Sequence, residues 1–194
     1  FGSSHFCSRH RAERPIASRP RAPASRPAGA MSVLPPVIAL AGGGIPRPVW
    51  QLMPEISPGK AMLGSIFLFN APHMVRMFLM HKAANVIKNE NPRAQLAELK
   101  GHKAYGEMIS RAEGAHVNGL ESFPVFAAGL LAAKAAGVDK TLIGKLAAFH
   151  LLCRTAFNVL YIGFSTPAPA ALRSLTWLGS LLTSCHLLAL AVEG

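Results

Sequence analysis

The chain has 194 residues, 51% of them apolar and only 15% charged, which gives room for one domain of lipid-compatible composition. Its net charge of +11 invites a nucleic-acid reading, but Arg9, Arg11, Arg14, Arg19, Arg21 and Arg26 crowd the first thirty positions. The later cations are spread over connectors without the interleaved aromatics of a binding stripe, so nucleic-acid binding is set aside.

Residues 1–60 read as a basic, Pro- and Gly-rich tail expected to be disordered, because so little apolar surface leaves nothing to bury. Within residues 1–30, Arg- and Ser-rich composition with Glu13 as the sole acid suits an organelle transit peptide. The ordinary sequence that opens at Met31 suits equally a translated leader ahead of it, and both readings stay open. The run Gly42-Gly43-Gly44 lacks the Gly-Lys-Ser or Gly-Lys-Thr of a phosphate loop and reads as a tether.

From residue 61 the pattern changes. A soluble bundle would carry charged faces throughout, whereas long apolar runs dominate here. The first span candidate covers residues 61–84, with Pro72 near its middle and Arg76 a turn later. A polar loop follows, to about Glu107. The second span starts near Arg111 and carries SFPVFAAGLLAAKAAG; the third covers about 141–164 and the fourth about 172–192. At 1.5 Å per residue each is long enough for roughly 30 Å of hydrocarbon. Residues 61–194 are therefore expected to form an all-α, integral membrane four-helix bundle. Lys88, Arg93, Lys100 and Lys103 make the polar loop the more basic connector, which places it on the cytoplasmic side. No metal-ligand spacing links Cys7, Cys153 and Cys185; the last two lie in apolar runs and read as small buried hydrophobes.

Ionisable residues inside such helices face a bundle interior or a site. In the second span Gly114, Asn118 and Glu121 follow i, i+4, i+7 spacing with Arg111 ahead of them; in the third, Arg154, Asn158 and Tyr161 repeat it after His150. Glu121 and Arg154 are the natural ion-pair candidates, since each alone would cost about 2.5 to 3.5 kcal/mol at a helix centre. Arg173 and Ser174 open the fourth span. Two readings account for these stripes, a ligand site or polar contacts that hold the helices together.

The segments RAEGAHVNGLESFPVF at 111–126, RTAFNVLY at 154–161 and LRSLTW at 172–177 resemble the MAPEG superfamily of membrane proteins in eicosanoid and glutathione metabolism, and within it the bacterial-type branch. The resemblance covers about residues 60–192. It implies a homotrimer in an endoplasmic reticulum or other organelle membrane, with glutathione as cofactor bound between subunits. Asn118 and Glu121 match the family's Asn-x-x-Glu pair, with Glu121 for the glutathione amine. Arg154 and Tyr161 match the third-helix pair, and Arg173 with Ser174 matches the catalytic Arg-Ser step. Gly114 stands where the family commonly has arginine, so Arg111, a turn earlier, is the expected carboxylate anchor. Phe157 replaces a polar residue of several members, and the turn between Tyr161 and Arg173 reads as longer than in the synthases. The implied activity is a glutathione-dependent transferase or peroxidase acting on lipophilic electrophiles in the bilayer. The alternative is a non-catalytic subunit of the same fold.

Overall fold

The computed structural model describes residues 48–193. The expectations for a leader and a glycine tether lie outside these residues. Among those described, the chain is all-helical. A 3-10 turn at Val49–Leu52 is followed by α1 (Pro58–Ala84), α2 (Pro92–Leu99), α3 (Gly106–Ala135), α4 (Lys140–Gly163) and α5 (Pro167–Glu193).

Local chemistry sets the boundaries. The Ser57 side chain accepts from Lys60 N–H at 3.3 Å and Pro58 occupies the first helical position, where its missing donor costs nothing. Asn85, in the left-handed region at φ 60°, ends α1. Asn91 caps α2 ahead of Pro92, and Asp139 caps α4 by accepting from Leu142 N–H at 2.8 Å. Pro167 and Pro169 stand in the first turn of α5, where proline is tolerated.

Four expectations are corrected. The polar loop contains α2, because Leu96 and Leu99 pack with Leu79, Met80 and Ile109 into a small core. Buried Gln95 fixes the approach to it, accepting from Lys88 N–H at 2.8 Å and donating to the Val86 carbonyl at 2.7 Å. The last helix starts five residues before the expected position 172, so Arg173 lies in its second turn rather than at its opening. Residues 48–57, assigned to the tail, pack along α4: Trp50 and Ile56 lie against the main core, and Thr141 donates to Glu55 at 3.2 Å. Finally, Cys153 is buried as expected but Cys185 is exposed, since an apolar run in a membrane helix can face lipid as well as protein.

Helices α1, α4 and α5 are each long and apolar enough to cross a membrane. Helix α3 is longer still but carries Glu107, Arg111, Glu113, Glu121 and Lys134. It packs against α1, α4 and α5, and α4 also contacts α1 and α5. The main core gathers Ala61 of α1, Phe126 and Leu130 of α3, Ile143 and Leu146 of α4, and Leu187 of α5. Outside it, Phe67, Leu63 and Met74 of α1 and Leu175 of α5 are more than 60% exposed, which suits lipid or a second subunit rather than water.

Pro72 inside α1 organises the middle of the molecule. Its ring removes the N–H that would bond the Leu68 carbonyl, and Asn158 of α4 supplies a replacement, donating through Nδ2 at 2.7 Å. The next carbonyl, Phe69, is met by His116 Nδ1 of α3 at 2.7 Å. Since a carbonyl only accepts, His116 donates there. Gly119 permits this closeness: a Cβ at that position would stand 2.6 Å from Phe69 Cβ.

Candidate functional site

The inward face of α4 turns its polar residues toward α3 and α5. Arg154 is buried and donates through Nη1 to Asn118 Oδ1 of α3 at 2.8 Å. Its guanidinium carbon lies 4.5 Å from the Phe157 ring centre. Phe157 leans on Tyr161, ring centres 5.3 Å apart, and the Arg173 guanidinium of α5 covers the other ring at 4.5 Å. Arg154, Phe157, Tyr161 and Arg173 thus form a cation–aromatic ladder, in which each guanidinium is held by a π face.

Gly114 is part of this construction. A Cβ there would stand 2.7 Å from the Tyr161 hydroxyl, so the missing arginine leaves the place the tyrosine occupies. Arg111 does not take over that place. It donates through Nε to the Ile162 carbonyl at 3.2 Å and pairs with Glu107 at 3.2 Å, so it sits at the C-terminal end of α4, where free carbonyls attract a cation.

The expected Glu121–Arg154 ion pair is not formed within the chain. Glu121 is exposed, and Asn118 holds the arginine instead. Three residues along a helix turn the side chain by about 300°, so Glu121 is offset by about 60° from the Asn118 direction and one turn away from Arg154. Ser174 is also exposed, and its hydroxyl donates to the Ala170 carbonyl of its own helix at 3.2 Å. The structure therefore brings together Asn118, Arg154, Tyr161 and Arg173, puts Arg111 beside them at the end of α4, and leaves Glu121 and Ser174 on the outside. Phe157, read from sequence only as a departure, is the ring between Arg154 and Tyr161.

Among the described residues no carboxylate pairs with Arg154 or Arg173. A guanidinium presents a planar fork of donors whose geometry matches a carboxylate, so these two side chains carry the chemistry that carboxylate recognition needs.

Comparison with known families places most of the described helices in one family. The sequence model of the MAPEG family matches residues 61–192. The chain belongs to the MAPEG family. No curated protein and no solved structure matches it. MAPEG proteins are membrane proteins, generally glutathione-related transferases and peroxidases, and the three membrane-length helices fit that class.

His73, Arg76 and His116 were not assigned a role by sequence reasoning. The His73 and His116 ring centres are 5.1 Å apart, and Arg76 Nη2 donates to His73 Nδ1 at 2.7 Å. Nothing in the sequence marks His73 or Arg76; the signal for His116 is Pro72, beside whose break in α1 its ring meets the Phe69 carbonyl.

Proposed function

We propose that this MAPEG protein, of the bacterial-type branch, is a glutathione-dependent transferase or peroxidase acting on lipophilic electrophiles that dissolve in the bilayer. It works as a homotrimer in the endoplasmic reticulum or another organelle membrane. The observation that carries this reading is the convergence of Arg154, Tyr161 and Arg173 with Asn118, two cations without carboxylate partners among the described residues, on a face shared by three helices. Glutathione offers two carboxylates, one amine and a thiol, and the residue types match. Arg154 and Arg111 suit the carboxylates. Glu121, exposed in the single chain, suits the amine in a site completed by a neighbouring subunit.

Arg173 is assigned to the thiol. An ordinary thiol is mostly protonated at neutral pH, and only the thiolate attacks an electrophilic carbon or a peroxide oxygen. A guanidinium held over Tyr161 favours the thiolate by charge, while its own proton never leaves. In conjugation the sulfur–carbon bond forms as the electrophile's leaving group departs. Ser174, catalytic beside Arg173 by the family resemblance, keeps its hydroxyl on the Ala170 carbonyl of its own helix in the ligand-free chain.

The test is calorimetric titration of detergent-purified protein with glutathione, followed by conjugation of an activated aryl halide. Arg173→Ala is expected to cut turnover at neutral pH about a hundredfold, the ratio expected for a thiol whose pKa is no longer lowered by about two. Binding should weaken far less, and part of the rate should return at higher pH, where bulk base forms the thiolate. The ladder's internal pairing favours one other reading, a non-catalytic MAPEG-fold subunit in which these residues only hold helices together. Wild-type protein that neither binds glutathione nor turns over would establish that reading instead.

A further inference from the structure

A cavity of about 500 Å³ opens between α1, α2 and α3, away from the Arg154–Tyr161–Arg173 ladder. Its polar wall is His73, Arg76, Arg93, Lys100 and Glu113, and its apolar wall includes Met77, Met80 and Leu96. Glu113 is already taken by an ion pair with Lys100. Among the described residues no carboxylate pairs with Arg76 or Arg93, and Arg76 Nε is buried without an acceptor. Arg76 spends Nη2 on His73, which cannot compensate its charge. The cavity therefore has an excess of donors and of positive charge that no described residue matches.

Depth and amphipathicity narrow the occupant. Arg76 lies eight residues before the end of α1, about 12 Å along its axis, in the half of the helix that leads into the polar connector and α2. The cavity takes a cation from each wall, Arg76 from α1 and Arg93 from α2, and its apolar lining likewise comes from both, Met77 and Met80 from α1 and Leu96 from α2. One residue around α1 from His73 and Met77, Met74 and Phe78 are 65% and 59% exposed, a track for an acyl chain leading out of the polar end. A volume of this size exceeds a bare phosphate and lies within the range of organic-ligand pockets.

The geometry points to a binding site for the phosphate headgroup of an anionic phospholipid, seated on Arg76 and Arg93 with its chain along α1. Basic pockets between membrane helices, beside a basic connector, are the sites where anionic headgroups collect. The site is separate from the proposed glutathione site and does not depend on it.

The experiment uses the full chain in an uncharged detergent and follows thermal unfolding during titration with dioctanoyl phosphatidic acid, dioctanoyl phosphatidylcholine, inorganic phosphate or glutathione. Phosphatidic acid is expected to raise Tm at concentrations where phosphatidylcholine does nothing. Inorganic phosphate should act only at far higher concentration, because it lacks the chain. Arg93→Gln, on the exposed side of α2, should weaken phosphatidic acid binding about tenfold, the scale of one lost charge-assisted contact, and Arg76→Gln should do the same. Arg173→Ala serves as the control that leaves this binding unchanged. Equal stabilisation by phosphatidylcholine, or unchanged phosphatidic acid binding in both Gln variants, overturns the proposal. Inorganic phosphate as potent as the lipid would make this a free-anion site, and glutathione displacing the lipid would make it part of the glutathione site; either result overturns the lipid assignment.

Discussion

Two polar regions of the same helix assembly are finished in different ways. Around Pro72, the Leu68 and Phe69 carbonyls meet Asn158 and His116. These contacts are short hydrogen bonds to uncharged acceptors. The ladder around Arg154 and Arg173 is charged, held by aromatic faces and one amide oxygen, and has no carboxylate among the described residues. The first region satisfies a defect in a membrane helix, where an unbonded carbonyl is costly. The second retains charge that folding alone would favour removing. The first region answers its bare carbonyls, leaving Asn158 Oδ1 buried without a donor; the second keeps two cations that no carboxylate among the described residues balances.

The largest effect that would sharpen this contrast is at Asn118. Asn118→Leu leaves buried Arg154 without its acceptor and is expected to cost about 2 to 3 kcal/mol, the scale of a hydrogen bond to a charged group. Equilibrium unfolding in detergent measures it. Arg154→Met removes the charge altogether, so the Arg154→Met, Asn118→Leu double variant should unfold near wild type, while glutathione binding is lost in both backgrounds. Strong destabilisation by Arg154→Met alone would erase the distinction between the two regions.

Next in size is Asn158→Leu, which leaves the Leu68 carbonyl bare and should cost about 1 to 2 kcal/mol with no change in glutathione affinity at unchanged fold. Pro72→Ala should recover part of that loss, because an alanine N–H can bond the same carbonyl within α1. A cycle over positions 72 and 158 reads the coupling directly; additive losses would show that Asn158 does not stand in for the missing N–H.

The smallest expected effect is at Glu121. Exposed and without a partner among the described residues, it should change the unfolding of ligand-free protein by less than about 1 kcal/mol when replaced by Ala. The same change should weaken glutathione binding if the residue receives the amine in the assembled site. A loss of several kcal/mol without ligand would mean that Glu121 already pairs across a subunit boundary.

Much of this was legible in the sequence. Apolar length marked the spans that became α1, α4 and α5, and i, i+4, i+7 spacing marked Asn118, Arg154, Asn158 and Tyr161 as inward, though it marked Glu121 so as well and that residue is exposed. Helix boundaries were less legible where proline was read as a turn. Pro167 and Pro169 begin α5, and Pro92 begins α2, because the first helical turn needs no donor from them.

The sequence by itself determined which residues lie on a common helical face, since that follows from 3.6 residues per turn whatever the neighbours are. Only the tertiary structure decided which faces meet and at what height. Helix periodicity contains no information about the axial offset between two helices; close packing sets it, here with Gly119 against Phe69 and Gly114 against Tyr161. That offset gives Arg154 to Asn118 rather than Glu121, sends Asn158 to the Leu68 carbonyl, and brings Arg173 over Tyr161.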